Sequence, residues 1–122
     1  MARKRAQSEM NLMELVPLRR LGHINLEGEL VALEVPRFKS AWAQRLFLPR
    51  RRKPNVQVKL DAIGSFVWGR CDGNRSVGQI AEDLVERFGD EVRPAAERLS
   101  AFIHHLKRQG FIDLRAPDGR LV

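Results

Sequence analysis

Val56-Gln57-Val58-Lys59-Leu60 alternates apolar and polar residues and runs without a break into Asp61-Ala62-Ile63. Strand side chains alternate between two faces, so Val56, Val58 and Leu60 share one face and Gln57 and Lys59 the other. Asp61 stands where a helix N-cap belongs, because its short carboxylate can accept from the backbone N–H groups that open a helix. A strand that turns into a helix at once presents a sheet edge beside that helix. No catalytic constellation lies between Val56 and Leu114, which points to binding rather than chemistry.

Three helices are expected between residues 61 and 110. The first turns Ile63, Phe66, Val67 and Trp68 inward, with Ile63 and Val67 at i, i+4, and Gly73 of the Asp72-Gly73 turn stops it. The second opens on Ser76-x-x-Gln79, a capping box that satisfies two orphan backbone donors reciprocally. Its residues Val77, Ile80, Ala81, Leu84, Val85 and Phe88 form one amphipathic stripe, and Gly89 ends it. The third begins at Pro94, faces Leu99, Phe102, Ile103 and Leu106 to the core and stops at Gly110. Phe111–Leu114 reads as a short extended piece folding back onto the bundle, and 116–122 as a loose end.

Two further strands precede these helices. His23–Leu26 and Leu30–Val35 flank Glu27-Gly28-Glu29, the pattern of an antiparallel hairpin, and Pro36 closes the second run. With Val56–Leu60 this makes a three-stranded antiparallel sheet followed by three helices, an α+β domain over residues 21–115. Residues 1–20 read as a tail, with 1–8 disordered and one or two helical turns over 9–15. Those turns place Leu12, Leu15 and Val16 on one side and end at Pro17. Between the second and third strands, Trp42, Leu46 and Phe47 suit a short amphipathic helix, although Leu46–Leu48 would also suit a strand. Pro49 and Pro54 bracket Arg50-Arg51-Arg52-Lys53, which reads as a basic loop.

The 122 residues allow one domain plus a tail, and 43% hydrophobic residues suffice for a modest core. A core this small leaves the fold marginal, so association into a homodimer would help it. One cysteine, Cys71, rules out an intrachain disulfide framework and a Cys-rich zinc site and suits a reducing compartment. The basic N-terminus is followed by no apolar run of signal or membrane-spanning length, so the cytoplasm is the expected location. The net charge of +7 is uneven: residues 1–60 carry thirteen Lys and Arg against five Asp and Glu, residues 61–122 nine against ten. The basic block suits nucleic acid, an acidic peptide or an acidic partner surface, or simply a solvated loop.

Catalytic and cofactor chemistry finds no support. His104 and His105 are adjacent, so on a helix they point about 100° apart and cannot share a metal in the i, i+4 manner. Cys71 at a helix end beside Asp72 has a raised rather than a lowered pKa, which disfavours a nucleophile. Gly64, Gly69 and Gly73 lack the spacing and the Lys of a phosphate loop. Trp68 reads as core, while Trp42 suits either core or a ligand platform. The chain is therefore expected to be no enzyme, with no metal and no cofactor.

Three strands, then three helices closing on Gly110-Phe111-Ile112, resemble the PqqD-like family, the leader-peptide recognition elements of ribosomal peptide modification systems. The residues that carry the resemblance run from Val58 to Trp68, from Cys71 to Val77, through Ile80-Ala81 and Phe88, to Phe102, Leu106 and Gly110-Phe111-Ile112. The preceding Val31–Phe38 looks like the stand-alone members. The extension of about twenty residues and the long basic insert depart from the compact pathway protein. The resemblance implies a winged-helix-like, non-catalytic peptide binder. It would take the leader of a precursor peptide as an added strand and present it to a modifying enzyme, of the radical S-adenosylmethionine type in the pyrroloquinoline quinone pathway.

Strand addition needs unpaired backbone groups on a sheet edge with room for alternate side chains. Val56, Gln57, Val58, Lys59 and Leu60 include no proline. On the third helix, Arg98, Ala101, His105 and Arg108 recur at i, i+3, i+7 and i+10 on a solvent-side face. Ala101 leaves room for a peptide side chain, and the cations suit an acidic leader. An ordinary solvated face has the same pattern. Two competing functions are a winged helix-turn-helix DNA binder and a structural subunit docking on a larger enzyme. The high pI favours nucleic acid, but the helical half is neutral and the exposed N-terminal part of the third helix lacks the Asn, Gln and Arg cluster for reading bases.

Overall fold

The computed structural model describes residues 12–36 and 55–122. The expectations for 1–8, for the helix around Trp42 and Phe47 and for the basic loop Arg50–Lys53 lie outside the described residues.

The elements run β1 (Val16–Arg19), β2 (His23–Asn25), β3 (Val31–Pro36), β4 (Asn55–Lys59), α1 (Ala62–Arg70), α2 (Val77–Phe88), α3 (Ala95–Gln109) and β5 (Ile112–Arg115). Short 3-10 turns occupy Glu27–Glu29 and Gly89–Val92. β2, β3 and β4 form an antiparallel sheet in that order, with His23 opposite Leu33 and Leu33 opposite Val58. The turn between β2 and β3 holds Gly28 at φ 72°, which glycine adopts at no steric cost, and Glu29 at φ 64°, which is uncommon for a residue with a side chain.

The helices form where their local signals lie. Asp61 Oδ1 accepts the Gly64 N–H at 2.7 Å and so caps α1. In α2, Ser76 Oγ accepts from Gln79 N–H at 3.1 Å, and Gln79 Oε1 accepts from Ser76 N–H at 2.9 Å. Gly110, at φ 81°, ends α3 in the left-handed conformation. Gly73 sits in the turn beyond α1 rather than at its last residue: α1 ends at Arg70 with Cys71 as its C-cap.

A second sheet modifies the expected architecture. β1 pairs antiparallel with β5, Val16 opposite Arg115 and Arg19 opposite Ile112. The 1–20 tail therefore contains a strand, and Pro17 lies within it instead of only ending a helix. Proline is tolerated there because this two-stranded ribbon has edges, and the Pro17 carbonyl accepts the Gly73 N–H at 3.0 Å. The helical turn before it holds Leu12 and Leu15 in the core, and Leu15 O accepts the Val77 N–H at 2.8 Å. Arg19 donates to the carbonyls of Trp68, which also accepts the Cys71 N–H, and Gly69 at the end of α1. The N-terminal segment thus fastens the α1–α2 turn to the last strand. After β5 the chain turns back, with Ala116 N–H donating to Arg120 O at 2.7 Å.

The core lies between the β2–β3–β4 sheet and the helices. Leu33, Trp68, Ile80, Leu99, Ile103 and Ile112 are fully buried in it. The Trp68 indole N–H donates to His23 Nδ1 at 3.1 Å, which seats the sheet on α1 and satisfies the one polar atom of a buried indole. No helix among the described residues is long and apolar enough to cross a membrane.

Because Leu15 is a core residue rather than part of a free tail, Leu15→Ala is expected to destabilise the domain by about 2–4 kcal/mol. Urea denaturation measures this as a lowered midpoint at unchanged slope; a midpoint equal to that of the wild type would show that the segment is not part of the cooperative unit.

Candidate functional site

β4 has β3 on one side and, among the described residues, no strand on the other. Hydrogen-bond alternation decides which of its backbone groups are free. Leu60 N–H donates to Val31 O at 3.0 Å, while Glu34 N–H donates to Gly22 O, away from β4. In an antiparallel ladder the bonded and non-bonded pairs alternate. Val56 and Val58 therefore spend their backbone groups on β3, as does the Leu60 N–H, and Gln57 and Lys59 point theirs outward. None of the five residues is proline, yet only these two have backbone groups that face away from β3.

The side chains complete the edge. Val56 and Val58 lie on the same face as their partners Val35 and Leu33, the face that packs against the helices. They nevertheless remain 37% and 40% exposed, because β4 overhangs the end of the core. Leu60, next along that stripe, is half-buried and packs on the core.

Beyond Leu60 a cleft of about 210 Å³ opens between α1 and α3, floored by Ile63, Gly64, Val67, Leu84, Val92, Ala95, Leu99 and Phe102, with Asp61 and Arg98 also lining it. Small-molecule pockets run from about 300 Å³ upward, so this cleft is the size of an amino-acid side chain rather than of a cofactor. Gly64 keeps it open: a Cβ there would meet Asp61 Oδ1 at 3.1 Å, Leu60 Cβ at 3.4 Å and the Phe102 ring at 3.6 Å. The Arg98 guanidinium donates to Glu91 O at 2.8 Å, which holds it near the turn before α3.

Of the α3 residues singled out in the sequence, Arg98, Ala101, His105 and Arg108 are all exposed. Arg98 lines the cleft, whereas Ala101, His105 and Arg108 do not, and neither does any residue of Val56–Leu60. The strand edge and the helix face meet through Leu60, Asp61, Gly64 and Phe102. Sequence reasoning assigned Phe102 and Leu99 to the core stripe and gave Gly64 no role. A small residue one turn into a helix, opposite an aromatic on another helix, was the available signal for a cleft, but it depends on which helices pack together.

The remaining reactive groups have structural surroundings. Cys71 is fully buried. Desolvation pushes its thiol up to about 12, nearby Arg19 opposes this and Asp72 adds to it. Asp72 thus acts in the expected direction, but burial dominates. His104 and His105 are both exposed on α3. No group of His, Cys, Asp and Glu among the described residues could hold a metal. Asp83 on α2 faces Arg70 at 3.4 Å and Arg75 at 3.2 Å, a partly exposed pairing of small energetic weight.

The family described as Coenzyme PQQ synthesis protein D (PqqD) matches residues 46–112, more than half of the chain. The chain belongs to the PqqD family. The match takes in β4, all three helices and Ile112, so the overhanging edge and the cleft lie inside it, whereas β1, β2 and β3 precede it. Comparison with curated proteins and with solved structures returns no match.

A thiol whose pKa is raised by folding holds its proton more tightly in the folded state. Its contribution to stability is complete below about pH 9 and is lost between about 9 and 12. Alkaline unfolding followed by circular dichroism is expected to be shifted to higher pH in a folded Cys71→Ala variant. The wild-type thiol is also expected to resist a disulfide reagent at pH 8 until urea unfolds the chain; rapid labelling of the folded protein would contradict its burial.

Proposed function

We propose that this PqqD-family protein is a non-catalytic peptide-binding module, winged-helix-like in arrangement, that holds the leader of a ribosomal precursor peptide and presents it to a modifying enzyme. The observation that carries this reading is the overhanging edge of β4: outward backbone groups at Gln57 and Lys59, exposed Val56 and Val58, and a side-chain-sized apolar cleft directly beyond Leu60.

The mechanism follows from those groups. An extended peptide pairs its backbone with the N–H and C=O of Gln57 and Lys59, adding a strand to the sheet. Its alternate side chains cover Val56 and Val58, removing their apolar surface from water. Farther along, one apolar side chain enters the cleft between Gly64 and Phe102. Arg98, and beyond the cleft Arg108, present positive charge to an acidic segment of the peptide, while Ala101 and the exposed His105 lie on the same α3 face, Ala101 leaving room for it. By family membership the pathway is synthesis of the coenzyme PQQ, and the receiving enzyme is of the radical S-adenosylmethionine type.

Gln57→Pro tests strand addition directly. Proline removes an N–H that points away from β3, so the β3–β4 ladder survives. Titration with a fluorescein-labelled synthetic precursor peptide of the PQQ pathway is expected to show binding weakened roughly tenfold or more, from a lost hydrogen bond and the obstruction of its neighbour. Unchanged affinity in a folded variant would rule out pairing at this edge. Reversing two cations, in Arg98→Glu/Arg108→Glu, is expected to weaken binding several-fold at low salt and much less at 0.5 M, since exposed charges are screened. A loss independent of salt would mean that the effect is not electrostatic.

A further inference from the structure

We propose that Ser65 is a positioning residue for the binding edge: its buried hydroxyl sets the angle at which β4 passes into α1, and so aligns the outward groups of Gln57 and Lys59 with the cleft. The inference rests on the reading of that edge as the peptide site.

Ser65 is the one buried polar side chain among the described residues, at 4% exposure. Its Oγ accepts the Val31 N–H at 3.0 Å and donates to Leu60 O at 3.3 Å. Leu60 N–H in turn donates to Val31 O at 3.0 Å. In an unbroken antiparallel pair, Val31 N–H would donate to Leu60 O directly. Here the chain leaves the sheet at Asp61 to start α1, that rung opens, and the Ser65 hydroxyl is inserted into it. The last rung of the β3–β4 ladder is therefore made by a side chain of the helix that follows.

Three elements are joined by this one oxygen. Val31 opens β3, Leu60 ends the β4 stripe, and Ser65 lies in the first turns of α1 next to Gly64, which borders the cleft. Without the hydroxyl, a backbone donor and a backbone acceptor are left unpaired in a buried place, a costly condition that the chain relieves by letting Leu60 move or admitting water. Either change re-aims Lys59 and Gln57 relative to Gly64 and Phe102. Alanine at this position keeps the packing otherwise, since it differs from serine by one oxygen.

The test compares wild type, Ser65→Ala, Ser65→Thr and a core control, Val77→Ala, which removes buried side-chain volume under the N-terminal segment, away from the cleft. Binding of the labelled PQQ-pathway precursor peptide is measured where each variant is folded by circular dichroism. Ser65→Ala is expected to lose about tenfold in affinity, Ser65→Thr to recover most of it, and Val77→Ala to stay within about twofold of wild type despite its lowered melting temperature. Amide exchange, which needs no peptide, is expected to quicken at Val31 and Leu60 in Ser65→Ala. Should Ser65→Ala not fold, Ser65→Cys, a weaker donor and acceptor, is read in its place with the same expected order. Affinity in Ser65→Ala equal to wild type, or reduced no more than in Val77→Ala, would overturn the positioning role. Wild-type protein that binds no peptide would overturn the binding reading instead, and the exchange at Val31 and Leu60 would then still decide whether Ser65 holds the junction.

Discussion

The structure turns on the passage from β4 into α1. Within Leu60, Asp61 and the first turn of the helix, the chain must finish one hydrogen-bonding pattern and begin another without leaving buried donors or acceptors unpaired. Asp61 takes a free N–H at the start of the helix, and Ser65 takes the open rung of the sheet. Because both debts are met locally, β4 can stay at the margin of the core as a straight edge and α1 can start at once beneath it. The cleft is a product of the same passage: Gly64 lies between the capping Asp61 and the buried Ser65, and its missing side chain is what separates Leu60 from Phe102.

Much of this was legible from residues close in sequence. The cap at Asp61, the Ser76–Gln79 box, the stripe from Val77 to Phe88 and the stop at Gly110 are local devices, and each acts within a turn or two of itself. The three strands of the main sheet were legible from alternation and from the Gly28 turn. The β1–β5 ribbon was not, because its evidence is the pairing of Val16 with Arg115 across nearly the whole chain, and Pro17 argued locally for an ending rather than a strand. The candidate site shows the same division. The edge residues Val56–Leu60 could be named from their pattern. Which of them turn their backbone groups outward could not, since that depends on the pairing of Leu60 with Val31. The cleft residues looked like ordinary core because Leu99 and Phe102 belong to the same helical stripe as Ile103 and Leu106, and only the gap between α3 and α1 separates them.

The charge of the chain and its binding geometry have different origins. The basic excess belongs to residues 1–60, and the helical half that forms the cleft is close to neutral. Arg98 and Arg108 are therefore local features of one helix rather than part of a broad cationic surface. This favours an account in which backbone pairing and apolar contacts hold a peptide and charge orients it, over one in which nonspecific attraction to phosphate dominates.

The central claim is that β4 offers every second backbone group to a partner strand. Amide hydrogen exchange, read by nuclear magnetic resonance with and without the PQQ-pathway precursor peptide, tests it most directly. The account predicts that Val56 and Val58 are protected in both states, and that Gln57 and Lys59 exchange freely in the unbound protein and become protected with the peptide. Protection of Gln57 and Lys59 before any peptide is added, or free exchange of both with the peptide bound, would contradict it.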